Sequence, residues 1–169
     1  AVFVDQGKLA DMFQPGTYQL TTENLPILST LKGWKYGFES PYKAEVYFIN
    51  TRQYLDMKWG TMNPIMLRDA DFGIVRVRAF GIYAIKVNPE QAGTFLREVV
   101  GTDGNFTTQE IEGQLRRMLV SSFTTTLGKA KIPALDMAGN YDDIADKCVE
   151  KMQPQFGEYG LKLSKFMIE

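Results

Sequence analysis

The sequence predicts an α+β fold, with a mostly antiparallel β-sheet in the N-terminal half, helices packed on one side, and a closing C-terminal strand. Three observations carry this. Two-residue alternation of apolar and other side chains dominates the first half and peaks between Phe72 and Val87. Spacings of three and four take over after Asn88, and an apolar strand-like segment returns at Leu161 to Ile168. Strands followed by helices, rather than strands alternating with them, is the α+β order. With 169 residues, 44% of them hydrophobic and 23% charged, the chain can bury a core of ordinary size. It is read as one domain over residues 1–169.

In order, Ala1 to Asp5 and Lys8 to Phe13 are short strand-like segments, and Gln6-Gly7 is a candidate hairpin turn between them. Pro15-Gly16 is a turn signal, because proline fixes φ and glycine accepts the left-handed position. Thr17 to Leu20 resumes as a strand, Thr22 to Pro26 breaks it, and Ile27 to Leu31 fits a helical turn or a short strand. Lys43 to Asn50 carries Val46-Tyr47-Phe48-Ile49 and is expected to be a buried strand. Arg52 to Thr61 and Ile65 to Arg68 are shorter candidates.

The run from Phe72 to Val87 reads as one long strand. Val75, Val77, Ala79, Gly81, Tyr83, Ile85 and Val87 form its wholly apolar face, and Arg76, Arg78 and Lys86 lie on the mixed one. Asn88-Pro89-Glu90 then starts a helix, with Asn as N-cap and Pro at the first position, that stops before Gly101. Thr107 and Glu110 have capping-box spacing ahead of a stripe from Ile111 to Leu127. A third helix begins near Asn140, carries Ile144, Ala145, Cys148, Met152 and Phe156 inward, and closes at Gly160. Pro154 is expected to kink or break it.

The chain has no histidine and one cysteine, Cys148. Ser-His-Asp, Cys-His and zinc-histidine chemistry are therefore excluded, and no internal disulfide is available. Cys148 falls on an apolar helix face and reads as a core residue. Asp69 and Asp71 are the nearest approach to a carboxylate pair for Mg²⁺ or proton transfer, but aspartates ahead of a strand more often make turns. Lys58-Trp59-Gly60-Thr61 lacks the glycine spacing and the Gly-Lys-Ser/Thr order of a phosphate loop. Arg76, Arg78 and Lys86 form either a basic stripe or cross-strand ion pairs, and a net charge of −1 favours the latter. That charge also leaves no global field to attract nucleic acid or an anionic membrane surface. No catalytic, cofactor or metal residue is predicted.

Trp34, Tyr36, Phe38 and Tyr42, interleaved with Gly33, Gly37 and Pro41, form an aromatic loop. Such a loop anchors a partner or a lipid interface, or else folds back as a lid on the core; the tendency of Trp and Phe to be buried favours the lid. No run approaches the ~18–20 apolar residues that span a bilayer. The absence of cysteine pairs makes a cytoplasmic setting the expectation. The chain opens without Met on a strand and ends mid-pattern on Phe166-Met167-Ile168-Glu169, so it reads as cut from a longer protein.

Taken in order, AVFVDQGK, PGTYQL with TTENLP, SPYKAEVYFIN, MKWGT, NPIMLRDADFGIVRVRAFGIYAIKVNPEQ and FGEYGLKLSKFMI resemble the SPFH or band 7 family of stomatins, prohibitins and flotillins. The KWGT and PGTYQLTTENLP pieces are most similar to a bacterial branch whose members often carry a C-terminal zinc ribbon and are sometimes labelled virion-core-protein-like. The resemblance implies a scaffold without a catalytic motif of its own, which self-associates at a membrane. It implies three partners: further copies of itself, a membrane, and a membrane protease that it accompanies. The expected place is the cytoplasmic face of that membrane. The alternative function is a lipid- or small-ligand-binding module using the Trp34–Tyr42 loop.

Overall fold

The computed structural model describes residues 1–5, 8–18, 44–101 and 106–169. Eight strands lie among them: β1 (Val2–Asp5), β2 (Lys8–Met12), β3 (Ala44–Tyr47), β4 (Tyr54–Gly60), β5 (Ile65–Asp69), β6 (Gly73–Val77), β7 (Phe80–Val87) and β8 (Leu161–Phe166). Between β7 and β8 run a 3₁₀ turn (Pro89–Gln91), α1 (Ala92–Phe95), a π turn (Leu96–Val100), α2 (Thr108–Ala130), a 3₁₀ connector (Ala134–Asn140) and α3 (Tyr141–Glu158). The α+β order is as expected, and every pairing among the described strands is antiparallel. The strands form three small sheets, ordered β2-β1-β3, β4-β7-β8 and β5-β6.

The segment predicted as one strand from Phe72 to Val87 is two, β6 and β7, in different sheets. The change of partner occurs at Arg78-Ala79. There the Thr61 N–H donates to the Ala79 carbonyl at 2.9 Å, and the Ala79 N–H donates to Thr61 Oγ1 at 3.1 Å. Alternation passes through the break without a phase change. Ala79, Gly81, Tyr83, Ile85 and Val87 are buried, whereas Ile74, Arg76, Arg78 and Phe80 are exposed. Periodicity reports which face a residue takes and is blind to which strand lies alongside.

β3 corrects a second expectation. Glu45 and Val46 are exposed, Tyr47 is half-buried, and Phe48 just beyond the strand is 87% exposed. Among the described residues β3 pairs with β1 alone, so it is the edge of its sheet rather than a buried strand. Thr17 and Tyr18 are not in a strand, and the rest of that predicted segment lies outside the described residues, as do Gln6-Gly7, Thr22–Pro26 and Ile27–Leu31.

Helix signals were mostly local and mostly held. Asn88 caps the 3₁₀ turn by accepting from the Glu90 N–H at 3.2 Å. Glu110 accepts from the Thr107 N–H at 2.8 Å, the reach-back half of the capping box at the start of α2. α3 does not break at Pro154 but continues to Glu158. Met152 and Phe156, fully buried on either side of the proline, hold both turns against the core. The Gln153 side chain additionally accepts from the Leu163 N–H of β8 at 3.2 Å.

The core lies between the β4-β7-β8 sheet and the apolar stripes of α2 and α3. Trp59 sits at its centre, with Phe166 stacked at 4.7 Å and Phe123 at 5.0 Å between ring centroids. Its indole N–H donates to the Met167 carbonyl at 2.9 Å, tying β4 to the chain leaving β8. Ile111, Leu115, Leu119, Phe123 and Leu127 face this core from α2, and the five residues predicted to point inward from α3 are all buried.

Candidate functional site

The residues that sequence logic offered to chemistry are occupied by architecture. Asp69 ends β5 and its Oδ1 accepts from the Asp71 N–H at 2.9 Å and the Phe72 N–H at 3.0 Å, so it builds the β5–β6 turn. Its Oδ2 accepts from the Ala134 N–H at 2.6 Å and pins the hairpin to the α2–α3 connector. Hydrogen bonds from Phe72, Ala134 and Asp71, in that order, hold its carboxyl below the usual carboxylate range. Asp71 is exposed, and it meets Asp69 through its backbone N–H.

Lys58-Trp59-Gly60 is the end of β4, with Thr61 just beyond it and Trp59 only 3% exposed, so the segment is an extended strand rather than a phosphate-cradling loop. Cys148 is fully buried, and burial pushes its thiol pKa up, as befits a core residue rather than a nucleophile. Among the described residues no group of three acidic or cysteine side chains is placed to hold a metal ion. The aromatic loop of Trp34, Tyr36, Phe38 and Tyr42 lies outside the described residues.

Two other features stand out instead, one that the sequence did not announce and one that it offered only as a basic stripe of Arg76, Arg78 and Lys86. The first is a cavity of about 500 Å³ where the start of β4 and the end of β7 meet the start of α2. Tyr47, Phe48, Tyr54, Phe95, Phe106 and Ile111 give it an aromatic and apolar wall, with Asn50, Thr107 and Thr108 as polar groups. A volume in this range suits a small ligand. The Tyr47 hydroxyl donates to Glu45 Oε2 at 2.9 Å, and that bond raises the phenol's pKa.

The second feature is the outer face of the β5–β6 hairpin. Met66 lies opposite Arg76, and Arg68 opposite Ile74. All four are exposed, and Arg78 continues the same face beyond the ladder. Among the described residues the expected cross-strand ion pairs are not formed here: the residue facing Arg76 is Met66 and the one facing Arg68 is Ile74, both apolar. Lys86 is registered against Lys162, another cation. The ion pairs among the described residues, Arg97–Glu98 and Arg116–Glu112, lie on the helices. In sequence, the mixed face of the alternating run carried this signal, but the registering strand had to be known before its neighbours could be named.

No helix among the described residues is long and apolar enough to cross a membrane. The chain is 29% identical over 170 aligned positions to the uncharacterized protein YdjI of Bacillus subtilis (strain 168), an alignment covering 99% of this chain and 52% of YdjI. The chain thus spans about half the length of this curated relative. The model of the SPFH domain-Band 7 family matches residues 1–169. Antiparallel sheets, the helices after them and the returning β8 fit that match, and the chain belongs to the SPFH domain-Band 7 family.

Proposed function

We propose that this chain is a non-enzymatic scaffold domain that self-associates and organises a membrane-associated assembly, in which it regulates a partner such as a membrane protease. The observation that carries the reading is the family match over the whole chain. Support comes from the side chains suited to chemistry, since Asp69 is engaged in a turn and Cys148 in the core. Among the described residues β3 is also an edge strand, and an edge of that kind can join copies.

Density-gradient flotation of the native protein from its cell, followed by light scattering of the purified protein, tests it. The expected result is co-flotation with membranes and a mass of many copies. A monomer that stays with the unfloated proteins overturns the scaffold reading.

The cavity favours a second reading, a lipid- or small-ligand-binding module, carried here by the wall around Tyr54 and Phe106 rather than by the aromatic loop. An environment-sensitive apolar dye is expected to brighten with wild type and not with Ile49→Trp, which fills the space. Equal brightening by both proteins removes this reading.

A further inference from the structure

The two faces of the β5–β6 hairpin differ sharply. The inner face carries Ile65 and Asp69, both buried, and half-buried Leu67, Val75 and Val77. It is fastened to the α2–α3 connector through the Asp69–Ala134 hydrogen bond. The outer face alternates cations with apolar tips: Arg68, Arg76 and Arg78 among Met66, 57% exposed, and Ile74, 71% exposed, with Phe72, 57% exposed, at the turn. Asp71 is the acidic residue at that turn, and the Asp69 carboxylate points its bonds inward.

A merely solvated strand face has no use for exposed Ile and Phe, and a face that packs on its own core has no use for three arginines. Interleaving the two matches a surface with phosphate above and hydrocarbon below. Against a nucleic-acid backbone the arginines would serve, but Ile74 and Met66 would meet phosphate with nothing to gain.

We propose that the outer face of the β5–β6 hairpin lies on an anionic lipid surface, with Arg68, Arg76 and Arg78 at headgroup phosphates and Met66, Ile74 and Phe72 at the acyl boundary. This rests on the membrane-scaffold reading above and supplies the contact that reading leaves unnamed. Arginine suits the role because its planar fork donates two hydrogen bonds to one phosphate. The inner-face anchorage makes the contact a fixed plane rather than a loop that reshapes on binding.

The test is co-sedimentation of this chain with vesicles of phosphatidylcholine alone and of phosphatidylcholine mixed with phosphatidylglycerol. Binding is expected to the mixed vesicles and to weaken on the order of a hundredfold in Arg68→Gln/Arg76→Gln/Arg78→Gln, at roughly 1 kcal/mol per cation near the surface. Met66→Ser/Ile74→Ser is expected to weaken it as well, whereas Arg116→Gln/Arg117→Gln on α2 retains it. Circular dichroism confirms that each variant is folded; if the triple variant is not, the single arginine variants carry the comparison, each expected to lose a few-fold.

The proposal is overturned if wild type binds neither vesicle, or if the hairpin and α2 variants weaken alike. It is also overturned if soluble polyglutamate or duplex DNA is bound while vesicles are not, which assigns the face to an acidic macromolecule. Vesicle binding by a chain whose native protein is monomeric sinks the scaffold reading and leaves the lipid contact standing. An assembly that persists without vesicle binding does the reverse.

Discussion

Tyr83 is 1% exposed, and its hydroxyl has no hydrogen-bond partner among the described residues. Burial, with a smaller contribution from Glu112 opposed by Arg116, pushes its pKa to about 12. A phenol whose folded pKa is raised stabilises the fold fully below its unfolded value of 10.0, and that contribution fades as pH rises towards about 12. Tyr83→Phe is therefore expected to flatten the alkaline decline in urea midpoint. At neutral pH it is expected to leave stability unchanged or raise it by about 1 kcal/mol, since no hydrogen bond is lost. Asp69 has the opposite sign. Its carboxyl is held low, so its contribution is present above the ordinary value and lost as pH falls through the folded one. Acid titration of Asp69→Asn, followed by circular dichroism, is expected to show a weaker decline below pH 3.8 than wild type, from a lower starting stability.

At the scale of elements, two glycines mark where backbones come too close for a side chain. A Cβ on Gly81 would lie 2.1 Å from the Met167 carbonyl oxygen, where the chain past β8 runs along β7. Gly160 has φ of +68°, and a Cβ there would meet the Gln91 carbonyl oxygen at 2.6 Å and the Phe95 nitrogen at 2.7 Å. Gly81→Ala is expected to cost about 3 kcal/mol or more by chemical denaturation, because backbone rather than a pliable side chain must shift. Trp59→Phe is expected to cost about 1–2 kcal/mol, losing the bond to Met167 while keeping most of the stacking.

Element types were legible wherever the cause was local. The Asn88 cap, the Thr107–Glu110 pair, the inward stripe of α3 and the left-handed stop at Gly160 all depend on residues within a turn of one another. Three things were not legible, because each depends on partners distant in sequence: the division of Phe72–Val87 between sheets, the exposure of β3, and the passage of α3 through Pro154. The same holds for the candidate sites. Val75 and Arg76 could be assigned to faces, but not Met66 to its place opposite Arg76, and nothing periodic announces a cavity assembled from β3, β4, β7, α1 and α2.

For the whole molecule, the decisive arrangement is a central sheet whose two outer strands come from before the helices and from after them. β4 and β8 both pair with β7, and Trp59 of β4 stacks on Phe166 of β8. One face of β8 is thus part of the core, with Leu161, Leu163 and Phe166 all buried. A chain truncated after Gly160 is expected to lose cooperative thermal unfolding, as followed by circular dichroism. A cooperative transition near the wild-type midpoint would show that β7 and the helices suffice without β8.

The junction at Arg78-Ala79 has a mechanical corollary. β6 passes into β7 through two residues, with Thr61 bonded to Ala79 on both sides of its peptide unit. There is no slack between the hairpin and the central sheet, and Asp69 fastens the hairpin's far end to the helical layer. Whatever rests on the hairpin's outer face is therefore held at a set height and tilt relative to the helices. Copies gathered on one surface would inherit a common orientation from it.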